Sequence, residues 1–235
     1  VVEADIYNES IDIFSMAGQP DVLIHLAWDG LPNYKSLNHY EGELPRQYLF
    51  LKRMVNSGLK SVLVTGTCFE YGMQSGCLKE DMPVNPTNPY GFAKDALRKQ
   101  LTFLQLSTTF NLTWARLFYL YGEGQASSSL FTQLKNAVSN ADKIFNMSGG
   151  EQLRDFQSVE QVADSLVRLA LLEGNHGIVN VSSGHPTAIK NLVENWLVQY
   201  DWDIQLNLGF YPYPDYEPME FWGDNSYMKH LLRKI

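Results

Sequence analysis

The 235-residue sequence has little cysteine, no long apolar run and no cluster of basic residues. Its two cysteines, Cys68 and Cys77, are too few for the disulfide framework of a small secreted domain, so we expect reduced thiols and a cytoplasmic location. No apolar stretch reaches the roughly 18 residues that a transmembrane helix needs. These absences argue against a disulfide-stabilised scaffold and against an integral membrane protein.

The charge balance excludes two further classes of partner. The net charge is −8 at pH 7, which does not suit nucleic acid or an anionic membrane as the main partner. No spacing of His, Cys and Asp is typical of a metal site, so no metal is predicted. With 45% hydrophobic residues the chain can fill a substantial core. We therefore expect a globular protein that binds a small molecule.

Apolar, β-branched runs predict strands that are buried on both faces. They are "DVLIHLAW" (21–28), "SVLVTGTCF" (61–69), "LTWARLFYLYG" (112–122) and "GIVNVSSG" (177–184). Helical patterns over 36–57 and 88–108 lie between the first three runs. This alternation is typical of an α/β fold with a doubly wound parallel sheet, in which ligands bind at the carboxyl ends of the strands.

The second half of the chain follows a different pattern. After a Gly/Ser-rich stretch, helices are predicted near 128–141, 159–173 and 187–199, followed by a tail rich in Pro and aromatic residues. We therefore divide the chain into residues 1–125, which carry the sheet, and a smaller mixed α/β substrate-binding subdomain at 126–235.

The stretch "NPYGFAKDALRKQL" (88–101) holds a candidate catalytic pair. Asn88 suits a helix N-cap and Pro89 the first turn, which puts Tyr90 and Lys94 one turn apart on the same face. The same spacing occurs at Tyr48 and Lys52, so spacing alone does not decide. The pair Tyr90 and Lys94 follows a strand that ends in a hydroxyl residue, Thr67, whereas Tyr48 and Lys52 have no such partner. Thr67 and Tyr90 can therefore contact the same substrate atom.

With these motifs, the chain resembles the extended short-chain dehydrogenase/reductase family of nucleotide-sugar epimerases, dehydratases and reductases. The matching segments, in order, are "ADI" (4–6), "DVLIHLAW" (21–28), "TGTCFEYG" (65–72), "NPYGFAK" (88–94), "RLFYLYGEGQ" (116–125), "RDF" (154–156) and "NVSSG" (180–184). The resemblance implies a Rossmann-like dinucleotide-binding domain at 1–125 and a homodimer formed through the helices near 36–57 and 88–108. By family analogy alone, it also implies a role in bacterial surface-polysaccharide (O-antigen) synthesis.

The resemblance also implies roles for particular residues. The catalytic residues are Thr67, Tyr90 and Lys94, with NAD or NADP as cofactor and a nucleotide-diphosphate sugar as substrate. The cofactor-binding residues are Asp5, Ile6, Leu26, Ala27, Trp28, Thr65, Tyr90, Lys94 and Phe118. The substrate-binding residues are Thr67, Tyr119 and Arg154, and Arg154 is expected to hold the diphosphate because a guanidinium suits that group.

These residue types suit hydride transfer to a keto-sugar. The ketone oxygen must receive a proton, and a phenol with a pKa near 10 is a poor donor unless a neighbouring cation lowers that pKa. We expect Lys94 to lower the pKa of Tyr90 and to hold the cofactor ribose. Thr67 would hydrogen-bond the same sugar oxygen.

Departures from the family pattern exclude some of the reactions that family members catalyse. Family members that dehydrate the sugar carry an Asp-Glu pair where this chain has Cys68 and Phe69, and members that epimerise C3 and C5 carry a Cys and a His that are missing here. Reduction of a 4-keto-6-deoxy sugar and a UDP-galactose-type 4-epimerisation both remain. Tyr119 replaces the Asn that is typical of the 4-epimerases, so we favour the 4-ketoreductase.

The family's glycine-rich phosphate-binding turn is not found in this sequence. Either about fifty residues precede the sequence as given, or the protein does not hold its cofactor tightly. The acid that selects between NAD and NADP belongs to that segment. A non-catalytic nucleotide-binding member of the family is therefore a further alternative.

Overall fold

The structure is a computed structural model that describes residues 1–233. The strands are β1 (Val22–His25), β2 (Ser61–Thr67), β3 (Gly76–Leu78), β4 (Asn111–Leu117), β5 (Tyr119–Tyr121), β6 (Ile144–Asn146), β7 (Leu153–Ser158), β8 (Gly177–Val181), β9 (Pro186–Ala188), β10 (Gln205–Asn207) and β11 (Phe221–Gly223). The helices are α1 (Ile13–Met16), α2 (Leu44–Asn56), α3 (Pro89–Leu104), α4 (Leu130–Ser139), α5 (Val159–Ala170), α6 (Ile189–Gln199) and α7 (Ser226–Leu232). Within these residues, no helix is both long and apolar enough to cross a membrane.

The main sheet has the strand order β1-β2-β4-β8, and all of its pairs are parallel. Successive side chains of a strand point to opposite faces. Val62 and Val64 pack with α2 and α3 on one face, whereas Leu63 and Ala115 pack with α5 and α7 on the other. The sheet is therefore covered by helices on both faces, and the predicted doubly wound α/β fold is confirmed.

The second half of the chain contributes to this sheet and also has a core of its own. Strand β8 pairs with β4, and α5 packs under the sheet, so the predicted division at residue 125 does not coincide with an edge of the sheet. Phe131, Leu134 and Trp196 of α4 and α6 form a separate apolar cluster. A separate substrate-binding subdomain at 126–235 remains a prediction.

The N-terminus of α3 lies directly against the turn after β2. The Asn88 side chain accepts a hydrogen bond from the Gly91 backbone N–H at 2.8 Å, as expected for an N-cap, and Pro89 occupies the first turn. A Cβ atom at Gly91 would lie 2.7 Å from the Phe69 carbonyl oxygen. The absence of a side chain at Gly91 thus permits the contact that brings Tyr90 close to Thr67.

A buried carboxylate, Glu70, fixes the end of β2. One oxygen accepts the Arg116 Nε hydrogen at 2.7 Å, and the other accepts the Trp114 Nε1 hydrogen at 2.8 Å and the Thr67 backbone N–H at 2.9 Å. The Glu70 and Arg116 side chains are both 0% exposed. A Cβ atom at Gly66 would lie 2.2 Å from Trp114 Nε1, so the glycine makes room for this network.

We predict that Glu70→Gln lowers the free energy of unfolding by about 3–5 kcal/mol, because it leaves the buried Arg116 charge without its partner. The matched control is Asp21→Asn, which removes an ion pair with Lys60 whose side chains are 74% and 77% exposed. That change is expected to cost about 0–1 kcal/mol. Urea denaturation followed by tryptophan fluorescence measures both, and equal small losses would contradict the structural role of Glu70.

Candidate active site

A cavity of about 570 Å³ opens at the carboxyl ends of β1, β2 and β4. Thr67, Tyr90 and Lys94 all line it, so the structure brings the three predicted catalytic residues together. Its walls combine aromatic side chains with aliphatic and small polar ones, and they come from both halves of the chain. They include Trp28, Tyr34, Phe69, Phe118, Tyr119, Phe156, Trp196 and Tyr216.

Tyr90 lies within an aromatic cluster and is 8% exposed. Its ring centroid lies 5.5 Å from that of Tyr34 and 5.3 Å from that of His39. Burial raises the pKa of Tyr90 above its ordinary value of 10, and the neighbouring Thr67 hydroxyl lowers it by less. The net pKa shift of Tyr90 is upward, opposite to the one expected from its spacing with Lys94, because burial outweighs the lowering influences.

Thr67 is oriented by the turn that follows β2. Its side-chain oxygen accepts a hydrogen bond from the Phe69 backbone N–H at 3.3 Å, as part of a capping box with Glu70. The Thr67 hydroxyl hydrogen is left to bond with Tyr90 or with a substrate oxygen. The arrangement suits the substrate-positioning role predicted for Thr67.

Lys94 is held by a carbonyl and an indole ring. Its ammonium donates to the Thr65 carbonyl oxygen at 2.9 Å and lies 4.1 Å from the Trp28 ring centroid and 5.9 Å from that of Tyr90. Burial lowers the pKa of Lys94 to about 7, although the carboxylates of Glu70 and Glu43 raise it. Its charge in the folded protein therefore depends on pH in the neutral range.

Trp28 is itself fixed by a buried histidine that sequence reasoning did not select. The Trp28 Nε1 hydrogen is donated to His39 Nδ1 at 3.0 Å, and His39 Nε2 lies 2.8 Å from the Asn33 carbonyl oxygen. His39 must therefore accept at Nδ1 and carry its proton at Nε2, which makes it neutral. His39 begins a π-helical segment, His39–Glu43, that precedes α2. Such insertions are frequent at functional sites.

The second Tyr-x-x-x-Lys pair has similar internal geometry but different surroundings. Lys52 Nζ lies 5.9 Å from the Tyr48 ring centroid, the same distance that separates Lys94 from Tyr90. Tyr48 packs against the core of α2 and α3, and Lys52 is exposed. The surroundings therefore distinguish the two pairs: Tyr90 and Lys94 line the cavity, whereas Tyr48 and Lys52 do not.

The predicted substrate residues Tyr119 and Arg154 meet at a carboxylate that the sequence did not single out, Glu217. Arg154 donates to Glu217 Oε2 from Nη2 at 2.9 Å and from Nε at 3.3 Å, and Tyr119 donates to Oε1 at 2.5 Å. Arg154 is 1% exposed and also donates to the carbonyl oxygens of Leu153 and Met219. Its guanidinium is thus largely occupied by protein groups.

The predicted cofactor-binding residues divide into two sets. Leu26, Trp28, Thr65 and Phe118 line the cavity beside Lys94. Asp5, Ile6 and Ala27 lie outside its lining: Asp5 is exposed, and the Ile6 carbonyl accepts a hydrogen bond from Arg53 at 2.7 Å. A cation beside flat aromatic walls suits the nicotinamide and its ribose, so the residues present fit that half of the cofactor.

The positions that would carry a dehydratase's acids hold groups that do not ionise at neutral pH. Cys68 and Phe69 both line the cavity, and burial raises the pKa of the Cys68 thiol above its ordinary value. Neither side chain can act there as an acid–base pair for elimination.

Comparison with known proteins finds relatives along most of the chain. A dTDP-6-deoxy-L-talose 4-dehydrogenase (NAD(+)) from Aggregatibacter actinomycetemcomitans is 29% identical over 221 residues, which cover 90% of this chain and 81% of that protein. A dTDP-4-dehydro-6-deoxyglucose reductase from Escherichia coli is 24% identical over 197 residues, covering 80% of this chain and 61% of that protein. The chain thus spans less than two thirds of the second relative.

Among solved structures, a UDP-N-acetylglucosamine 4-epimerase from Methanobrevibacter ruminantium M1 has the same fold. It superposes with a TM-score of 0.86 at 21% identity, covering 98% of this chain and 75% of that one. The profile of the NAD dependent epimerase/dehydratase family matches residues 1–182, more than half of the chain. These matches confirm the predicted family, the Rossmann-type fold and a nucleotide-sugar enzyme of an NAD-dependent family, where the sequence had left NAD and NADP open. The chain belongs to the NAD dependent epimerase/dehydratase family.

Proposed function

We propose that this protein reduces the C4 ketone of a dTDP-4-keto-6-deoxy sugar, or catalyses the reverse oxidation, with NAD or NADP. The observation that carries the proposal is the meeting of Thr67, Tyr90 and Lys94 in one cavity that holds Cys68 and Phe69 in place of the elimination acids. The names of the two relatives, a dTDP-6-deoxy-L-talose 4-dehydrogenase and a dTDP-4-dehydro-6-deoxyglucose reductase, support a dTDP sugar and chemistry at C4.

The proposed roles follow from the geometry. When bound, the reduced nicotinamide supplies the hydride for the ketone carbon. Tyr90 gives its phenolic proton to the ketone oxygen, and Thr67 hydrogen-bonds the same oxygen through its free hydroxyl hydrogen. Lys94 holds the cofactor ribose and offers positive charge to the phenolate that forms. The aromatic walls limit the access of water to the reacting carbonyl.

The diphosphate role predicted for Arg154 remains part of the proposal, but its contacts support it less directly. Four of its N–H groups already have partners in Glu217, Leu153 and Met219. To hold a diphosphate, the guanidinium would have to exchange at least part of the Glu217 pair. A cytoplasmic location also remains a proposal, supported by the free thiols of Cys68 and Cys77.

We predict that Tyr90→Phe lowers the rate of NADH or NADPH oxidation with dTDP-4-keto-6-deoxyglucose by about 10²- to 10⁴-fold, because it removes the proton donor. The matched control is Tyr48→Phe, which changes the same residue type in the second Tyr-x-x-x-Lys pair and is expected to keep the wild-type rate. Absorbance at 340 nm measures both variants and shows which dinucleotide is used.

Two further measurements, chromatographic analysis of UDP-sugars and a dinucleotide-binding titration, separate the alternatives. No reduction, but interconversion of UDP-glucose and UDP-galactose, would replace the proposal with the 4-epimerase. Binding of the dinucleotide without turnover on either sugar would favour the non-catalytic family member.

We predict that the charge of Lys94 makes stability depend on pH. The pKa of Lys94 is about 7 in the folded protein, against 10.5 for the ordinary side chain, so between these pH values the unfolded chain binds more protons. The free energy of unfolding of the wild type should therefore rise relative to that of Lys94→Met as pH increases from 7 to 10. Urea denaturation at intervals across this range tests it, and a difference that is independent of pH would contradict it.

We also propose a homodimer through the outer faces of α2 and α3. Apolar side chains are exposed there, including Leu49, Phe92 and Phe103, which are 44%, 52% and 69% exposed.

We predict that Phe103→Glu shifts the protein toward the monomer, because a dimer interface would bury the new charge. Light scattering after size exclusion measures this. The control is Val198→Glu on α6, where the native side chain is 84% exposed; equal masses for both variants would contradict the interface.

A further inference from the structure

Glu217 is a partly buried carboxylate that the proposed reaction does not yet use. It lines the cavity that holds Thr67 and Tyr90, and its side chain is 10% exposed. Tyr119, whose hydroxyl Glu217 accepts, packs against the apolar cluster that contains Cys68, the residue next to Thr67. Glu217 therefore faces the same cavity as the proposed catalytic residues.

The hydrogen bonds of Glu217 leave one acceptor position open. Oε2 accepts two N–H groups of Arg154, whereas Oε1 accepts only the Tyr119 hydroxyl among the bonds that the structure describes. A carboxylate has about four acceptor positions, two on each oxygen. The remaining position on Oε1 suits an O–H donor from the cavity.

The segment that carries Glu217 is anchored. Two residues further on, the Met219 carbonyl accepts hydrogen bonds from the Leu153 backbone N–H at 2.9 Å and from Arg154 Nη1 at 3.1 Å. Glu220 forms a bridge with Leu153. These bonds hold Glu217 as a fixed part of the wall. The ion pair with Arg154 balances the charge of this carboxylate and leaves its free acceptor position available to a neutral hydroxyl.

We propose that Glu217 determines sugar specificity by accepting the C3 hydroxyl of the substrate, with Arg154 and Tyr119 as the residues that position it. This inference rests on the proposed function. In a 4-keto-6-deoxy sugar, C5 carries the ring oxygen and the methyl group, so the C3 hydroxyl is the only hydroxyl beside the reacting carbon. The C3 hydroxyl is therefore the donor that we assign to the open acceptor position on Glu217 Oε1.

The test compares dTDP-4-keto-6-deoxyglucose with its 3-deoxy analogue, using wild type, Glu217→Gln and Glu217→Asp. We expect Glu217→Gln to lower kcat/KM for the parent sugar by about 10- to 100-fold, the usual effect of losing a hydrogen bond to a charged group. With the 3-deoxy analogue, wild type and variant should agree within about threefold. Glu217→Asp keeps the charge beside Arg154 but withdraws the carboxylate, so it should show the same dependence on the hydroxyl.

Inhibition by dTDP, which has no sugar, provides a second readout, and its inhibition constant should not change in either variant. Equal losses of kcat/KM on both sugars, or a changed inhibition constant for dTDP, would overturn the role of Glu217 and point to a structural or diphosphate effect. A lower KM in Glu217→Gln would also overturn it, because the carboxylate would then be competing with the substrate for Arg154. An inactive wild type would instead count against the proposed function.

Discussion

The ion pair between Glu70 and Arg116 is the interaction on which the site depends. Both side chains are fully buried, and the carboxylate also binds the Thr67 backbone and the Trp114 indole. Burying two charges is costly, and apolar residues of similar volume often stabilise a core equally well. What an apolar pair could not supply is the directional bond to the Thr67 N–H. The network therefore fixes the direction in which β2 ends, and with it the place of the Thr67 hydroxyl relative to Tyr90.

The second constraint is the balance between burial and charge around Lys94. Its ammonium has one carbonyl partner, Thr65, and the face of Trp28, so burial outweighs the distant carboxylates and lowers its pKa. Burial also raises the pKa of Tyr90. Both shifts favour the neutral forms: Tyr90 holds its proton more tightly than a free phenol, and Lys94, with a pKa of about 7, remains partly charged near neutral pH. The neutral His39 that orients Trp28 adds no charge to this balance.

Local patterns predicted the elements well because buried parallel strands and capped helices leave signals within a few residues. The runs at 61–69 and 112–122 became β2, β4 and β5, and Asn88 caps α3 as expected. Contacts distant in sequence left no such signal. Glu217 lies 98 residues from Tyr119 and 63 from Arg154, in a tail for which the sequence indicated only an abundance of Pro and aromatic residues. The pKa directions of Tyr90 and Lys94 were equally hidden, because spacing along a helix does not reveal how deeply both groups are buried.

Taken together, these contacts pair each of the two carboxylates near the site with an arginine, whereas the Lys94 ammonium contacts neutral groups. The Glu217 carboxylate is paired with Arg154, the Glu70 carboxylate with Arg116, and Lys94 stands between a carbonyl and an indole ring. Aromatic and aliphatic side chains form much of the remaining wall and limit the access of water to the reacting group. Such a cavity suits the transfer of hydride, which water would not assist, together with one proton from a positioned phenol. It suits elimination poorly, because elimination needs a free carboxylate and a free acid at the positions that Cys68 and Phe69 occupy.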